Sequence, residues 1–124
     1  MISGLDHVQL AGPPGCEAAA RDFYSGLLRM TEIEKPEALR ARGGAWFAAG
    51  LHQVHIGIED PFTPAKKAHP ALIANDLDAL HQRLTSAGYA CNWDEAIPGV
   101  RRFYCLDPFG NRLEFVAPAC SSRE

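Results

Sequence analysis

Residues 103–115 have the sequence FYCLDPFGNRLEF, and this stretch decides the fold of the chain. Its centre, DPFGN at residues 107–111, is made of residue types that favour a tight turn. We therefore predict a strand at residues 101–106, a turn, and a strand at residues 112–117. In the second strand Leu113 and Phe115 share one face, whereas Glu114 lies on the other. The chain is thus predicted to close on a hairpin with one apolar face.

A helix with two flanking strands is predicted just before this hairpin. Asp76 is a good N-cap, and Leu77, Leu80, Leu84 and Ala87 form an apolar stripe at helical spacing. We predict the strands at residues 69–75 and 89–93.

The first half of the chain shows the same order of elements. Ala20, Phe23, Tyr24, Leu27 and Leu28 lie at positions i, i+3, i+4, i+7 and i+8, which predicts a helix with one apolar face. We predict strands before and after it, at residues 4–11, 30–35, 45–49 and 51–59.

The last of these strands, residues 51–59, alternates clearly between two faces. Val54, Ile56 and Ile58 share the apolar face, so His55 lies on the opposite one. Residues 61–68, with two prolines and two lysines, are predicted to be a linker.

The two halves are predicted to be repeats of one βαβββ unit. Equivalent residues recur at nearly constant spacing: 62 positions for His7 and His69, and 59 for His55 and Glu114. Gly26 and Gly88, each near a helix end, are also 62 apart. We predict an α+β fold of two βαβββ modules, with curved mixed sheets around a metal-binding cleft. The predicted single domain covers residues 1–124, with module one at about 1–60, the linker at 61–68, and module two at about 69–118.

Four potential metal ligands lie at equivalent points of this repeat. His7 and His69 are predicted on the first strands of the two modules, and His55 and Glu114 on the last strands. A lone histidine on a strand is usually a hydrogen-bonded residue, but matched positions favour a shared site. Imidazole with carboxylate suits Fe(II), Mn(II), Co(II), Ni(II) or Zn(II). His7, His69 and Glu114 have the composition of a 2-His-1-carboxylate triad, which leaves positions for substrate.

Composition and charge argue against several other classes. The formal net charge is -3 and the pI about 5.9, which gives no basic footprint for nucleic acid. The N-terminus lacks the features of a signal peptide, and no apolar run of 18 residues could span a bilayer. A cytoplasmic protein is therefore expected. Four cysteines without a C-x-x-C pair are then expected to be free thiols: Cys16, Cys91, Cys105 and Cys120.

The sequence resembles the vicinal oxygen chelate superfamily, which includes glyoxalase I, bleomycin and fosfomycin resistance proteins, and extradiol dioxygenases. The resemblance covers nearly the whole chain. It rests on LDHV at residues 5–8, RDFY-x-GLL at 21–28, and the hairpin at 103–115, which matches the family pattern D-P-x-G-x-x-x-E. It implies paired βαβββ modules, a divalent metal held by His7, His55, His69 and Glu114, and a homodimer. The site can then be formed within one chain or between two subunits.

The same resemblance implies a metal that chelates two neighbouring oxygens of a small-molecule substrate. The expected reaction is of lyase or isomerase type, with Glu114 as the ligand that could also act as general base. Glyoxalase I usually has a glutamate where this chain has His55. A single carboxylate leaves a divalent site at about +1, which favours an anionic substrate. The alternatives are a fosfomycin-type transferase, an Fe(II) ring-cleaving dioxygenase, and a non-catalytic protein that binds a drug or other small molecule.

Several further residues are candidates for the substrate pocket. Tyr104 and two tryptophans are large aromatics on or near the predicted sheets, although such residues are often core. Gln9 shares a face with His7. Arg102, next to Arg101 at a strand entry, could hold a carboxylate or phosphate, or could form a solvated rim. The predicted pocket residues are Gln9, Trp46, Trp93, Arg102 and Tyr104. Pro70 lacks a ladder donor, so it is expected at a strand start or edge.

Overall fold

The computed structural model describes residues 1–119, which contain two four-stranded mixed sheets and few helices. The chain divides into two units. The first unit is Met1–Pro64 with Pro108–Asn111, and the second is Ala65–Asp107 with the chain from Arg112 onward. The turn at 108–111 therefore belongs to the first unit, where the Asn111 side-chain amide donates to the carbonyl of Ala11 at 2.7 Å.

The first unit contains one sheet with the strand order β1-β4-β3-β2, in which β1 and β4 are parallel. The other neighbours are antiparallel. A short α-helix continues directly into a π-helical segment between β1 and β2. The elements are β1 (His7–Gly12), α1 (Glu17–Ala20), the π-helical segment (Arg21–Leu27), β2 (Thr31–Ile33), α2 (Glu37–Arg40), β3 (Ala45–Ala49) and β4 (His52–Ile58).

The second unit repeats this order. Its sheet has the strand order β5-β8-β7-β6, again with the first two strands parallel and the others antiparallel. The elements are β5 (Ala71–Ile73), α3 (Leu77–Ser86), β6 (Cys91–Trp93), β7 (Arg102–Leu106) and β8 (Arg112–Val116). The predicted fold class, two βαβββ modules with mixed sheets, is confirmed. The predicted domain boundaries stay a prediction.

The core of the first unit lies between the sheet and the helical segment. Phe47 on β3 and Tyr24 on the helical segment are fully buried, and their rings stack with centroids 5.3 Å apart. Val54 and Ile56 of β4 point to the same side and are 2% and 1% exposed. The predicted apolar faces of the helix and of β4 are therefore confirmed, and their packing fixes which way His55 points.

The core of the second unit is built in the same way. Phe103 of β7 packs against Phe115 of β8, with centroids 5.2 Å apart, and His81 of α3 contacts the Phe103 ring edge-on. The Asp76 side chain accepts a hydrogen bond from the Ala79 amide at 3.0 Å, so the predicted N-cap is confirmed. The strand parity that buries Phe103 and Phe115 sends Glu114 to the opposite face.

Three local features differ from the sequence-based expectation. His69 was expected on the first strand of the second module, but β5 begins at Ala71, because Pro70 lacks the amide donor that would extend the ladder. The segment Arg21–Leu27 is π-helical, with the Leu28 amide bonded to the Phe23 carbonyl. The short helix α2 was not predicted.

Within residues 1–119, no disulfide joins Cys16, Cys91 or Cys105, and Cys120 lies outside the described residues. Among residues 1–119, the helices are all too short or too polar to cross a membrane.

Candidate functional site

Each sheet has one face packed against its helix, and we call the other face the site face. The strand register places the two units in correspondence on this face. Gln9 is opposite His55 on neighbouring parallel strands, and Ala71 is opposite Glu114 in the same way. Gln9 lies two residues after His7, and Ala71 lies two residues after His69. The equivalent residues, first unit before second, are His7 and His69, His55 and Glu114, Trp46 and Tyr104, and Gln53 and Arg112.

The site face of the first unit is a stack of three rings. The Trp46 indole lies on the His55 imidazole with centroids 3.8 Å apart and an interplanar angle of 3°. The His7 ring covers the other side of His55, with centroids 4.2 Å apart and an angle of 16°. His55 is only 3% exposed, although its strand face is not the core face. The structure therefore brings the predicted residues His7, His55 and Trp46 together.

The His55 ring is held as a neutral imidazole. Burial lowers its pKa, and the neighbouring His7 ring lowers the pKa further. Its Nε2 atom lies 2.8 Å from the side-chain oxygen of Gln53, which can only accept, so Nε2 carries the proton in this arrangement. Gln9, predicted to line the pocket, is exposed on the adjacent strand and lies against Gly57.

The site face of the second unit is a network of charged groups around Glu114. One carboxylate oxygen of Glu114 lies 2.9 Å from Nε2 of His69, and the other accepts from the Arg102 guanidinium at 3.3 Å. Arg102 also pairs with Asp94 at 3.4 Å. The His69 ring meets Tyr104 edge-on at 5.3 Å. The structure thus brings the predicted residues His69, Glu114, Arg102 and Tyr104 together.

Glu114 is an anion despite being 7% exposed. Burial alone would raise the pKa of its carboxyl group. The hydrogen bonds from His69, Arg102 and Tyr104 outweigh that effect, so the pKa is lowered from its ordinary value. The carboxylate is therefore available as a charged ligand at neutral pH.

The orientation of His69 suits a metal ligand. Its Nδ1 atom lies 2.9 Å from the carbonyl oxygen of Lys67, which can only accept, so Nδ1 carries a proton. Nε2 faces Oε1 of Glu114 at 2.9 Å, so a divalent ion that displaces the proton shared by these two atoms would be held by both. Two ligands at about 2.1 Å from a metal and at right angles lie about 3 Å apart. A backbone partner on the second ring nitrogen is also typical of metal-bound histidine.

The donor sets of the two units differ in how well they fit a metal ion. His69 and Glu114 direct their donor atoms at each other, whereas His7 and His55 lie as parallel rings and would have to rotate to share an ion. Within residues 1–119, no group of three or more His, Cys, Asp or Glu side chains is arranged to hold a metal. The four-ligand set therefore stays a prediction.

Trp93 lies apart from the other predicted pocket residues. It is opposite Phe103 in the register of β6 and β7, so it points to the helix side. There it stacks on His81 at 4.9 Å, with the Arg101 guanidinium 4.9 Å from its ring. A hollow of about 530 Å³ adjoins it, lined by residues 93–95 and 97–102. Strand parity therefore places Trp93 on the face opposite Tyr104, and its assignment to the substrate pocket stays a prediction.

Three residues of the site faces were missed by sequence reasoning. Gln53 bonds His55, Asp94 pairs with Arg102, and Arg112 contacts both His69 and the Tyr104 ring. Strand parity was a usable signal for Gln53 and Arg112, since each lies two positions before a predicted ligand. Asp94 lies beyond the end of β6, where no periodic pattern applies.

Comparison with known proteins agrees with this architecture. The family model described as Glyoxalase/Bleomycin resistance protein/Dioxygenase superfamily matches residues 4–115. A glyoxalase family protein from Bacillus anthracis is 50% identical, with a TM-score of 0.91 over 96% of this chain and 98% of that one. No curated protein matches at a significant level.

More distant structures share the fold. A variant of the fosfomycin resistance protein FosX from Listeria monocytogenes, in complex with Mn(II) and 1S,2S-dihydroxypropylphosphonic acid, is 21% identical. Its TM-score is 0.79 over 99% of this chain and 98% of that one. TnmS3, an antibiotic binding protein from Streptomyces sp. CB03234, is 22% identical, with a TM-score of 0.69 over 95% of this chain and all of that one. By its sequence over residues 4–115 and by its paired sheets, the chain belongs to the Glyoxalase/Bleomycin resistance protein/Dioxygenase superfamily.

Proposed function

We propose that the protein is a cytoplasmic, divalent-metal-dependent enzyme of lyase or isomerase type that acts on a small substrate with neighbouring oxygens. His69 and Glu114, together with His7 and His55, are the proposed ligands. The observation that carries the proposal is the contact between His69 Nε2 and Glu114 Oε1 at 2.9 Å. These two atoms share a proton that a divalent cation would replace, and imidazole nitrogen with carboxylate oxygen is a donor pair that such cations bind.

A bound divalent ion would act as a Lewis acid that polarises a substrate carbonyl. The residues of the chain have separate roles in this proposal. Lys67 fixes the His69 ring through its carbonyl, and Arg102 holds one oxygen of Glu114. The Glu114 carboxylate, which is ionised at neutral pH, is also the proposed base for a proton next to the carbonyl. Arg102 limits how far this carboxylate can move.

Metal analysis tests the ligand assignment. We expect about one divalent ion per site in purified and reconstituted protein, measured by elemental analysis after removal of free metal. His69→Ala and Glu114→Ala should each lose most of it. His52→Ala is the matched control, because His52 is exposed at the start of β4 and should leave the metal content unchanged. Full metal content in His69→Ala would contradict the assignment.

The reaction type has its own test. Proton transfer next to a metal-bound carbonyl predicts that the loaded protein exchanges solvent deuterium into small α-hydroxycarbonyl compounds. We expect this exchange to disappear in Glu114→Gln. Oxygen uptake with catechols, or consumption of fosfomycin, would instead place the protein among the two alternative enzyme classes.

We also propose a homodimer, and a mixture of two variants tests whether each site is shared between its chains. In a shared site His7 and His69 come from different subunits. A heterodimer of His7→Ala and His69→Ala then contains one site with both ligands intact. Mixing the unfolded variants and refolding them should therefore restore metal binding in a measurable fraction of the dimers. No restoration would assign each site to a single chain.

A non-catalytic binding protein is the second candidate. The first unit favours it, because its three stacked rings offer an aromatic surface and His55 Nε2 is already bonded to Gln53. An outer ring face of this stack could pack against a flat aromatic ligand in the offset-stacked geometry that aromatic pairs prefer. Tight binding of an aromatic ligand that survives a chelator and weakens in Trp46→Ala would support this candidate. The metal-dependent function instead predicts that a chelator, which removes the metal ion, abolishes substrate binding.

A further inference from the structure

Arg112 places a guanidinium on the site face of the second unit. Its Nη1 atom donates to the Lys67 carbonyl at 3.1 Å and lies 3.3 Å from Nδ1 of His69. Within the described part of the chain, it forms no salt bridge with a carboxylate. Arg102, on the same face, pairs with two carboxylates. Arg112 is thus a half-buried cation whose charge no carboxylate of residues 1–119 neutralises by a direct pair.

The neighbours of Arg112 hold its guanidinium in place. The Tyr104 ring lies 4.2 Å from the guanidinium carbon, a distance at which the ring face attracts the cation and orients its plane. Arg112 lies two residues before Glu114 on β8, so both side chains project from the same face. Of its donor groups, only Nη1 has a hydrogen-bond partner in the described structure. The Nε and Nη2 groups remain as a planar fork of the kind that binds two oxygens of one anion.

The charge balance of this face also favours an anion. Arg102 and Arg112 carry two positive charges, and Glu114 and Asp94 carry two negative ones, so these four groups cancel. A divalent ion would bring a net charge of about +2, which an anionic ligand reduces. In the first unit the position equivalent to Arg112 is Gln53, a neutral residue whose oxygen is already bonded to His55. Of these two equivalent positions, only the one in the second unit therefore carries a cation.

We propose that Arg112 is the residue that binds the oxyanion of the substrate, a carboxylate or a phosphate-type group. This inference rests on the proposed function, because Arg112 can contact a substrate only if the second unit takes part in a substrate site. It adds the class of substrate, which is an anion. The anion would lie beside the His69–Glu114 pair and pair with the guanidinium fork. An uncharged substrate would leave this half-buried cation without a counter-charge.

Titration with inorganic phosphate and with acetate tests the proposal. Binding is followed by NMR of the histidine ring protons at constant ionic strength, in both metal-free and Zn(II)-loaded protein. We expect Arg112→Gln to weaken binding of the preferred anion by about tenfold or more, the loss for one bidentate charged contact. Arg112→Lys should retain part of the affinity, because a point charge remains without the fork. A preference for phosphate or for acetate identifies the oxyanion class.

Arg101→Gln is the matched control, because Arg101 forms an exposed pair with Asp78 on the helix side of the second unit. We expect its anion affinity to equal that of the unchanged protein. Equal affinity in Arg112→Gln, or an equal loss in Arg101→Gln, would overturn the proposal. The metal content of the same samples separates the two ideas. If the protein without substitutions binds no metal but its anion affinity depends on Arg112, only the proposed function is contradicted. If it binds metal but its anion affinity does not depend on Arg112, only this inference is contradicted.

Discussion

The site face of the first unit is built from rings, and that of the second from charged groups joined by hydrogen bonds. Both faces rest on the same strand order and the same register. In the first unit Trp46 lies opposite His55, and in the second Tyr104 lies opposite Glu114. The frame sets where side chains project, but it does not set their chemistry. A repeated fold can therefore carry two chemically different faces.

The helices of the two units also differ, both in their regularity and in their N-terminal caps. The second unit has a regular ten-residue helix, α3, with a side-chain cap at Asp76. The first has four α-helical residues that continue into a seven-residue π-helical segment, and Cys16 provides no side-chain cap. π-Helical segments are rare and are often found near functional sites. The following predictions test how far these differences reach.

Replacing Glu114 by alanine should have the largest effect on stability. The change leaves Arg102, whose side chain is 15% exposed, without one of its two carboxylate partners. We expect Glu114→Ala to lower the free energy of unfolding in urea by about 3 kcal/mol. Glu114→Gln should lower it by about 1 kcal/mol, because the amide oxygen still accepts a hydrogen bond. Equal losses in both variants would contradict this expectation, because they would show that the amide oxygen of glutamine does not replace the carboxylate as a hydrogen-bond acceptor.

Replacing His55 should have the largest effect among the ring residues of the first unit. His55→Ala removes the middle ring of the stack and leaves a cavity between Trp46 and His7. We expect the free energy of unfolding to fall by about 2 kcal/mol. His7→Ala should cost less than about 0.5 kcal/mol, since the His7 side chain is 41% exposed. A larger loss for His7 than for His55 would contradict the stacked arrangement.

Cys105 occupies in the second unit the register position that Phe47 holds in the first. Burial raises the pKa of the Cys105 thiol from 9.0 to about 12. The unfolded chain releases this proton at lower pH than the folded one, so the folded state binds more protons between these values. Stability from this group is therefore lost as the pH rises above about 9. We expect unfolding measurements to give a loss of up to about 1.4 kcal/mol per pH unit relative to Cys105→Ala.

The raised pKa of Cys105 would be contradicted if the free energy of unfolding changed equally with pH in Cys105→Ala and in the unchanged protein at alkaline pH. The corresponding Phe47→Leu variant is the control in the first unit. It should lower stability by a constant amount at every pH, since neither side chain titrates.

The capped helix of the second unit should respond to loss of its cap. The Asp76 carboxylate accepts from the Ala79 amide, and replacing an N-cap residue with alanine costs about 1 kcal/mol. We expect this loss for Asp76→Ala in urea denaturation, whereas Asp76→Asn should stay within about 0.3 kcal/mol. An unchanged stability in Asp76→Ala would show that the cap does not distinguish the two helices.

The smallest predicted effect is a gain in stability within the π-helical segment. The Ser25 hydroxyl is buried without a hydrogen-bond partner among residues 1–119. Removing it relieves a desolvation cost, so Ser25→Ala should raise the free energy of unfolding by about 0.5 kcal/mol. Thr85→Ala in α3 is the control and should give no gain, because the Thr85 hydroxyl donates to the His81 carbonyl. A loss of stability in Ser25→Ala would indicate a partner for its hydroxyl.

The sequence predicted the fold well where short-range signals were strong. The turn at 107–111, the alternation around Glu114 and the stripe of α3 each follow from local spacing, and the structure agrees with them. The position of His69 was predicted less accurately, because Pro70 ends the ladder before the strand pattern does. The π-helical segment could not be predicted, since its residues fit an α-helical stripe equally well.

The sequence predicted which residues belong to the candidate site, but it did not predict which of them contact one another. Strand parity placed His55 and Glu114 on the faces opposite the core, which the structure bears out. The ring stack of Trp46 on His55 depends on pairing between β3 and β4, and the Arg102–Glu114 contact on pairing between β7 and β8. Such register is set by long-range packing, so a single sequence does not contain it explicitly.

Gly44 prevents the first unit from gaining a side chain equivalent to Arg102. Extending the register by one residue places it at the position that Arg102 holds in the second unit. Gly44 has a φ of 86°, and a Cβ atom there would lie 2.1 Å from the Ile56 carbonyl oxygen. No side chain fits without moving the backbone. A single substitution at this position therefore cannot give the first unit the guanidinium that pairs with Glu114 in the second.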